Sequence, residues 1–186
     1  MLAVRFMATE EGGARQTDDP HSRAAMRPMG VEQVQAALDQ LQLGIQIVTF
    51  DSSTATSQQA AENVGCQLGQ IVKSLGYMIN KTKPVLILAS GDQSIDARKL
   101  GALFGVGRKK ARMMTAEQCI TALGYAPGAV PPVAHRMGDL TIIMDESLRR
   151  FEIVYAAGGT ANAIFPVQVS TLELVTGGLY ADVAHA

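Results

Sequence analysis

The stretch QIVKSLGYMINKTKPVLILA, residues 70–89, decides the fold. It holds two apolar runs separated by the polar, Pro-bearing NKTKP, residues 80–84. A helix carried through residue 75 from upstream would align Ala61, Val64, Leu68, Ile71, Val72 and Leu75, leaving Lys73 in solvent. Gly65 and Gly69 interrupt that pattern, each costing about 1 kcal/mol relative to Ala in a helix interior. Two apolar runs around a turn instead predict a β-hairpin. Strand side chains alternate, so Ile71, Lys73, Leu75, Tyr77 and Ile79 share one face and Val72, Ser74, Gly76 and Met78 the other. Lys73 then stands in an apolar row. An ammonium placed there snorkels to water, finds a partner or serves a site.

Upstream, VEQVQAALDQLQL (31–43) has helical spacing with Gly44 as its stop, and IQIVTF (45–50) reads as a strand. After the polar loop DSSTATSQ, Thr56 and Gln59 form a capping box for a short helix ending at Gly65. Downstream, IDARKLGALF reads as a helix stopped by Gly105, and RKKARMM as a loop running into a short strand. Thr115 and Gln118 make a second capping box, with Gly124 as the helix end. YAPGAVPPVAH is too rich in Pro and Gly for regular structure. LTIIMD and FEIVYAAGG read as strands, AIFPVQV as a strand broken or edged by Pro166. STLELVT reads as a helix with a Ser170–Glu173 capping box and Gly177 as its stop. Strands and helices mix without a regular βαβ period, which favours an α+β domain around a curved sheet.

Residues 1–29 mix charge, Gly and Pro without an apolar period and read as a flexible extension. They also fit an overlong start-codon assignment, since Met26 and Met29 precede the ordered pattern; His21 in this tail carries no chemistry. The remainder, 30–186, is one domain.

The chain has 186 residues, 47% of them apolar, no Trp and a net charge of −1. The core is therefore aliphatic, and any nucleic-acid contact needs a local patch rather than a global field. Cys66 and Cys119 make neither a disulfide framework nor a metal-ligand spacing, and read as buried inert thiols in a reducing compartment. No apolar run approaches the ~20 residues of a membrane span, and the N-terminus lacks a secretory apolar core. A cytoplasmic protein without metal or cofactor is the expectation.

Ser–His–Asp catalysis has thin support, because no G-x-S-x-G elbow occurs and His135 reads as a surface residue. GALFGVGRKK matches neither phosphate-loop pattern and reads as a helix and its stop. The basic cluster Arg108, Lys109, Lys110 and Arg112 either contacts phosphate or is a solvated turn.

Taken in order, QIVKSL, GDQSIDARKL and GYAPGAVPP, followed by TIIMD and AAGG, resemble the YbaK/prolyl-tRNA-synthetase-associated editing domain family from about residue 31 onward. The resemblance implies a mixed α/β domain on a curved, partly open barrel-like sheet flanked by helices. It implies an aminoacyl-tRNA deacylase acting in trans, with no cofactor and no side-chain nucleophile: the vicinal ribose hydroxyl of the substrate assists water. On that reading Lys73 matches the functional lysine, and Gly128 to Pro132, with Ala129 and Val130, the G-x-x-x-P loop. Asp145 matches an acidic position near the site, and Gly158 and Gly159 a glycine turn lining it. Thr54, in the hydroxyl-rich loop SSTAT, and Ser74, after the lysine, are candidate contacts to the amino acid. An aliphatic pocket selects small side chains (Ala, Cys, Ser or Thr) by exclusion. The implied partners are the aminoacylated tRNA end and a synthetase, with neither membrane nor DNA. A non-catalytic tRNA- or synthetase-binding module and a pocket for a free amino acid are the alternatives.

Overall fold

A computed structural model describes residues 27–185. Helix α1 (Val31–Gln40) buries Val34 and Leu38 and is followed by the short strand β1 (Val48–Thr49). Helix α2 (Ser57–Val64) precedes the hairpin of β2 (Val72–Ile79) and β3 (Lys83–Ser90). Next come α3 (Ala97–Leu103), β4 (Ala111–Met113) and α4 (Ala116–Gln118), which widens into a π-turn over Cys119–Leu123. Strands β5 (Thr141–Asp145), β6 (Ile153–Ala157) and β7 (Ala163–Gln168), helix α5 (Val169–Thr176) and β8 (Leu179–Ala181) complete the chain.

Among the described residues the strands form two sheets, ordered β4-β2-β3-β5-β8 and β1-β7-β6. A single bridge between Ile71 and Tyr155 joins them along one margin, so the curved surface stays open. The domain is a mixed α/β fold with flanking helices. The hairpin is the one expected from residues 70–89: Val72 pairs with Ser90 through to Ile79 with Lys83, antiparallel. Asn80 and Lys81 make its turn with φ of 52° and 68°, closed by the Thr82 N–H donating to the Ile79 carbonyl at 3.1 Å.

Strand β3 is central and covered on both faces, which is why Val85–Ala89 reads as a continuous apolar run. Leu86, Leu88 and Val72 join a core with Val34, Leu38, Leu123, Phe165 and Leu172. Val85, Ile87, Tyr77 and Ile79 pack on the other face with Leu100 of α3. Ile71 belongs to a third cluster with Ala60 and Ala61 of α2. Along the Lys73 face of β2, the cover thus changes from α2 to α3, and Lys73 lies at the gap.

The capping boxes at Thr56 and Thr115 are present, with the Thr hydroxyls accepting from Gln59 N and Gln118 N at 3.2 Å each. The box expected at Ser170 is not. Helix α5 starts directly from β7 at Val169, whose N–H donates to Glu152 O at 2.9 Å, and Ser170 lies inside it. Helix α1 ends at Gln40, capped by Leu41, rather than running on to Gly44. The strand expected over 45–50 shrinks to two residues because Gln35 takes the place of a neighbouring strand. Its side chain donates to Ile45 O at 2.9 Å and accepts from Ile47 N at 3.0 Å.

Pro166 does not break β7. It pairs with Tyr155 on one side, while β1 reaches only Ala163 and Ile164 on the other, so its missing N–H faces no partner strand. Residues 1–26 of the expected extension lie outside the described residues. Met29, at its end, is docked: its N–H bonds Gly124 O, and its side chain packs on the main core.

Candidate active site

Strand β4 pairs with β2 only at Tyr77, Met78 and Ile79, leaving the edge of β2 over residues 72–75 without a strand neighbour. Met114 N donates to Gly76 O at 2.8 Å on the β4 side. By the two-residue period, Ser74 therefore turns its N–H and C=O toward that same unpaired edge. A cavity of about 490 Å³ opens there, lined by Ile71 and residues 72–75 of β2, by Gly128 and Val130, and by residues 54–58 at the start of α2. Tyr155, Ala157 and Ile164 of the smaller sheet and Gly91 at the end of β3 complete its wall.

Lys73 enters this cavity half-buried. Its ammonium donates to the Gln93 carbonyl at 2.7 Å, which leaves two of its three N–H bonds for other partners. Burial pushes its pKa down, opposed by the charge of Asp92. Asp92 is itself gripped by Arg150 through two bonds of 3.0 and 2.6 Å, and this guanidinium holds its carboxyl below the usual range.

Gly91 is glycine because the chain passes too closely for any side chain: a Cβ there would lie 2.2 Å from the Leu68 carbonyl oxygen. Gly128, at φ +83°, turns the Pro loop past Ala55, whose carbonyl oxygen would lie 3.1 Å from an added Cβ. That loop is tied by Tyr125 Oη donating to Ala134 O at 2.9 Å and by His135 Nε2 at 2.8 Å from Pro131 O. His135 is thus a half-buried fastener rather than the surface residue its sequence context implied, and burial lowers its pKa. Thr54 fixes the opposite rim by donating from Oγ1 to Ala161 O at 3.2 Å.

Of the residues singled out in the sequence, Lys73, Ser74, Thr54, Gly128 and Val130 meet in this cavity. Ser74 lines it although its Oγ is buried without a hydrogen-bond partner. Ala129 and Pro132 belong to the same loop but are buried behind its surface. Asp145 lies elsewhere: its carboxylate accepts Ser147 N at 2.9 Å and Val183 N and Ala184 N at 3.0 Å each. Gly158 and Gly159 pack against Ile47 and against Gly30 with Val34, away from the cavity lining.

Lys109, Lys110 and Arg112 border a different groove, near the far end of β2, and Arg108 lies beside it in the chain. Gly91, Tyr155 and the residues opening α2 were missed in the sequence. The only local signal among them was the glycine just after the strand that holds the apolar run Val85–Ala89.

Cys119 is buried and Cys66 half-buried, both free, with thiols pushed up by burial. No helix among the described residues is long and apolar enough to cross a membrane.

Similarity to known proteins is extensive. YwhH of Bacillus subtilis, an uncharacterized protein, is 37% identical over 119 residues, 63% of this chain and 72% of its own. EbsC of Enterococcus faecalis, named as a candidate Cys-tRNA(Pro)/Cys-tRNA(Cys) deacylase, is 28% identical over 128 residues, 69% of this chain and 76% of its own. The crystal structure of a candidate trans-editing enzyme for prolyl tRNA synthetase superposes with a TM-score of 0.77 at 36% identity, covering 84% of this chain and 97% of that one. The sequence profile of the aminoacyl-tRNA editing domain matches residues 51–174, and the chain belongs to that family.

Proposed function

We propose that the protein is a trans-editing hydrolase that removes a small amino acid, such as Ala, Cys, Ser or Thr, from mischarged tRNA. The editing unit is residues 30–186, with 1–29 as an extension. The observation that carries the reading is one cavity shared by a half-buried ammonium, Lys73, and the rigid loop at Gly128 and Val130. The names of EbsC and of the superposed structure support the same class of substrate.

An aminoacyl ester is already activated, so its hydrolysis needs orientation, a placed water and stabilisation of the oxyanion. The water oxygen bonds the carbonyl carbon, and the ester C–O bond breaks. The ribose oxygen leaves as a hydroxyl, its proton relayed from the water by the vicinal ribose hydroxyl. Lys73 is the cation nearest the developing charge, with Gln93 O holding one of its N–H bonds and setting its direction. Thr54, Ser74, Gly128 and Val130 bound the amino acid. Small side chains fit and large ones are excluded, at about 1–3 kcal/mol per methylene.

The test is a deacylation panel over Ala-, Cys-, Ser-, Thr-, Pro- and Phe-tRNA with wild type and Lys73→Ala. Cleavage of the small esters, abolished in the variant while its circular dichroism is unchanged, is the expected result. Turnover retained by Lys73→Ala, or preferential cleavage of the Phe ester, overturns it.

A further inference from the structure

A second groove, of about 640 Å³, lies near the turn end of β2, with Lys81, Lys109, Lys110 and Arg112 on its walls and Met78 and Met113 among its lining. Two distant segments bring these cations together. The hairpin turn supplies Lys81, and the stretch entering β4 supplies the rest; Asn80 N donates to Lys110 O at 2.9 Å and joins the two. Arg112 Nε is fixed on Lys109 O at 2.9 Å.

Among the described residues these cations have no ion-pair partner. Ion pairs among the described residues join Arg98 to Asp96, Lys99 to Asp182, Arg149 to Glu146 and Arg150 to Asp92, and His185, when protonated, to Asp96. None of the four groove cations enters one, all four are exposed, and no carboxylate among the described residues lines the groove. On a chain of net charge −1 this is a segregated positive field. Lys81 occupies it at φ +68°, a left-handed conformation that glycine adopts more cheaply, so the side chain is kept at a backbone cost. Met113, 58% exposed, adds an apolar surface beside the charges.

We infer that this groove holds the phosphate backbone of the tRNA whose ester occupies the Lys73 cavity, an inference that rests on the proposed deacylation. From Ser74 to Asn80 the strand spans about 20 Å at roughly 3.3 Å per residue. At roughly 3.4 Å per stacked nucleotide this is about six nucleotides from the esterified end. The four cations meet phosphates, and the methionine surface meets ribose or base.

The experiment measures binding of uncharged tRNA to the full chain as a function of salt. Four phosphate contacts predict that affinity falls roughly fifty- to hundred-and-fifty-fold between 50 and 200 mM salt, at about 0.7–0.9 of log slope per contact. Replacing Lys81, Lys109, Lys110 and Arg112 by Gln together removes most of that slope, whereas Lys99→Gln with Arg149→Gln leaves it unchanged. Lys81→Gly raises the melting temperature while weakening tRNA binding. A salt-insensitive wild type, a quadruple variant that binds as wild type does, or equal binding of polyglutamate overturns the assignment. Wild-type cleavage of the seryl ester of adenosine, too short to reach the groove, reads the deacylation alone, so the two failures are distinguishable.

Discussion

Asp145 carries three backbone N–H groups on one carboxylate, which pins the segment at Val183 and Ala184 to the end of β5. An acidic residue closing an apolar strand looks functional in sequence, and while Ser147 is a local partner, the other two lie 38 and 39 positions away, beyond any local pattern. Asp145→Asn loses an acceptor oxygen and places an amide donor against donors. It should destabilise the fold by about 2 kcal/mol in urea unfolding, with any change in deacylation following from lost folded protein. His135 acts through its tautomer: Pro131 O is an acceptor, so Nε2 carries the proton. Its folded pKa lies below the ordinary 6.5 because burial disfavours the imidazolium. The folded state therefore binds the proton less readily than the unfolded chain, and stability falls as pH drops through about 6.5. Melting temperatures between pH 7.5 and 5.5 should decline in wild type and flatten in His135→Gln. Asp92, held low by Arg150, contributes only at more acid pH.

Among the elements, the hairpin was legible because its information is local: alternation, a Lys/Pro turn and β-branched runs. Thr56 and Thr115 were legible for the same reason, each bonding three residues ahead. Ser170 carries the same signature, yet strand β7 runs straight into the helix and leaves no cap position for it. The short strands β1 and β8 depend on what packs beside them, and single-strand patterning does not report that. The turn closing β3 shows the limit for the site. Only the fold places Gly91 against Leu68 O and makes it part of the cavity wall. Gly91→Ala should therefore displace the backbone at Leu68, costing about 2–3 kcal/mol. Deacylation per folded molecule should fall as well, as titration of active protein against soluble protein would show.

For the molecule as a whole, pattern and motif order gave the mixed fold, Lys73 and the Pro loop, while the composition of the site needed two sheets to converge. Charge shows the same split. A net of −1 hides a positive groove with no ion pair among the described residues, because pairing elsewhere is decided by contacts such as Lys99 with Asp182, far apart in sequence. The parallel pairing of β3 with β5, Val85 beside Thr141 through Leu88 beside Met144, carries a kinetic consequence. The hairpin closes on itself in microseconds, yet its partner strand is synthesised more than fifty residues later. At about 5–20 residues per second, a nascent chain would hold Leu86 and Leu88 uncovered for roughly 3–11 s. Closure further waits for Val183 and Ala184 to emerge and lock onto Asp145. A ribosome stalled short of residue 183 should therefore display a protease-sensitive intermediate.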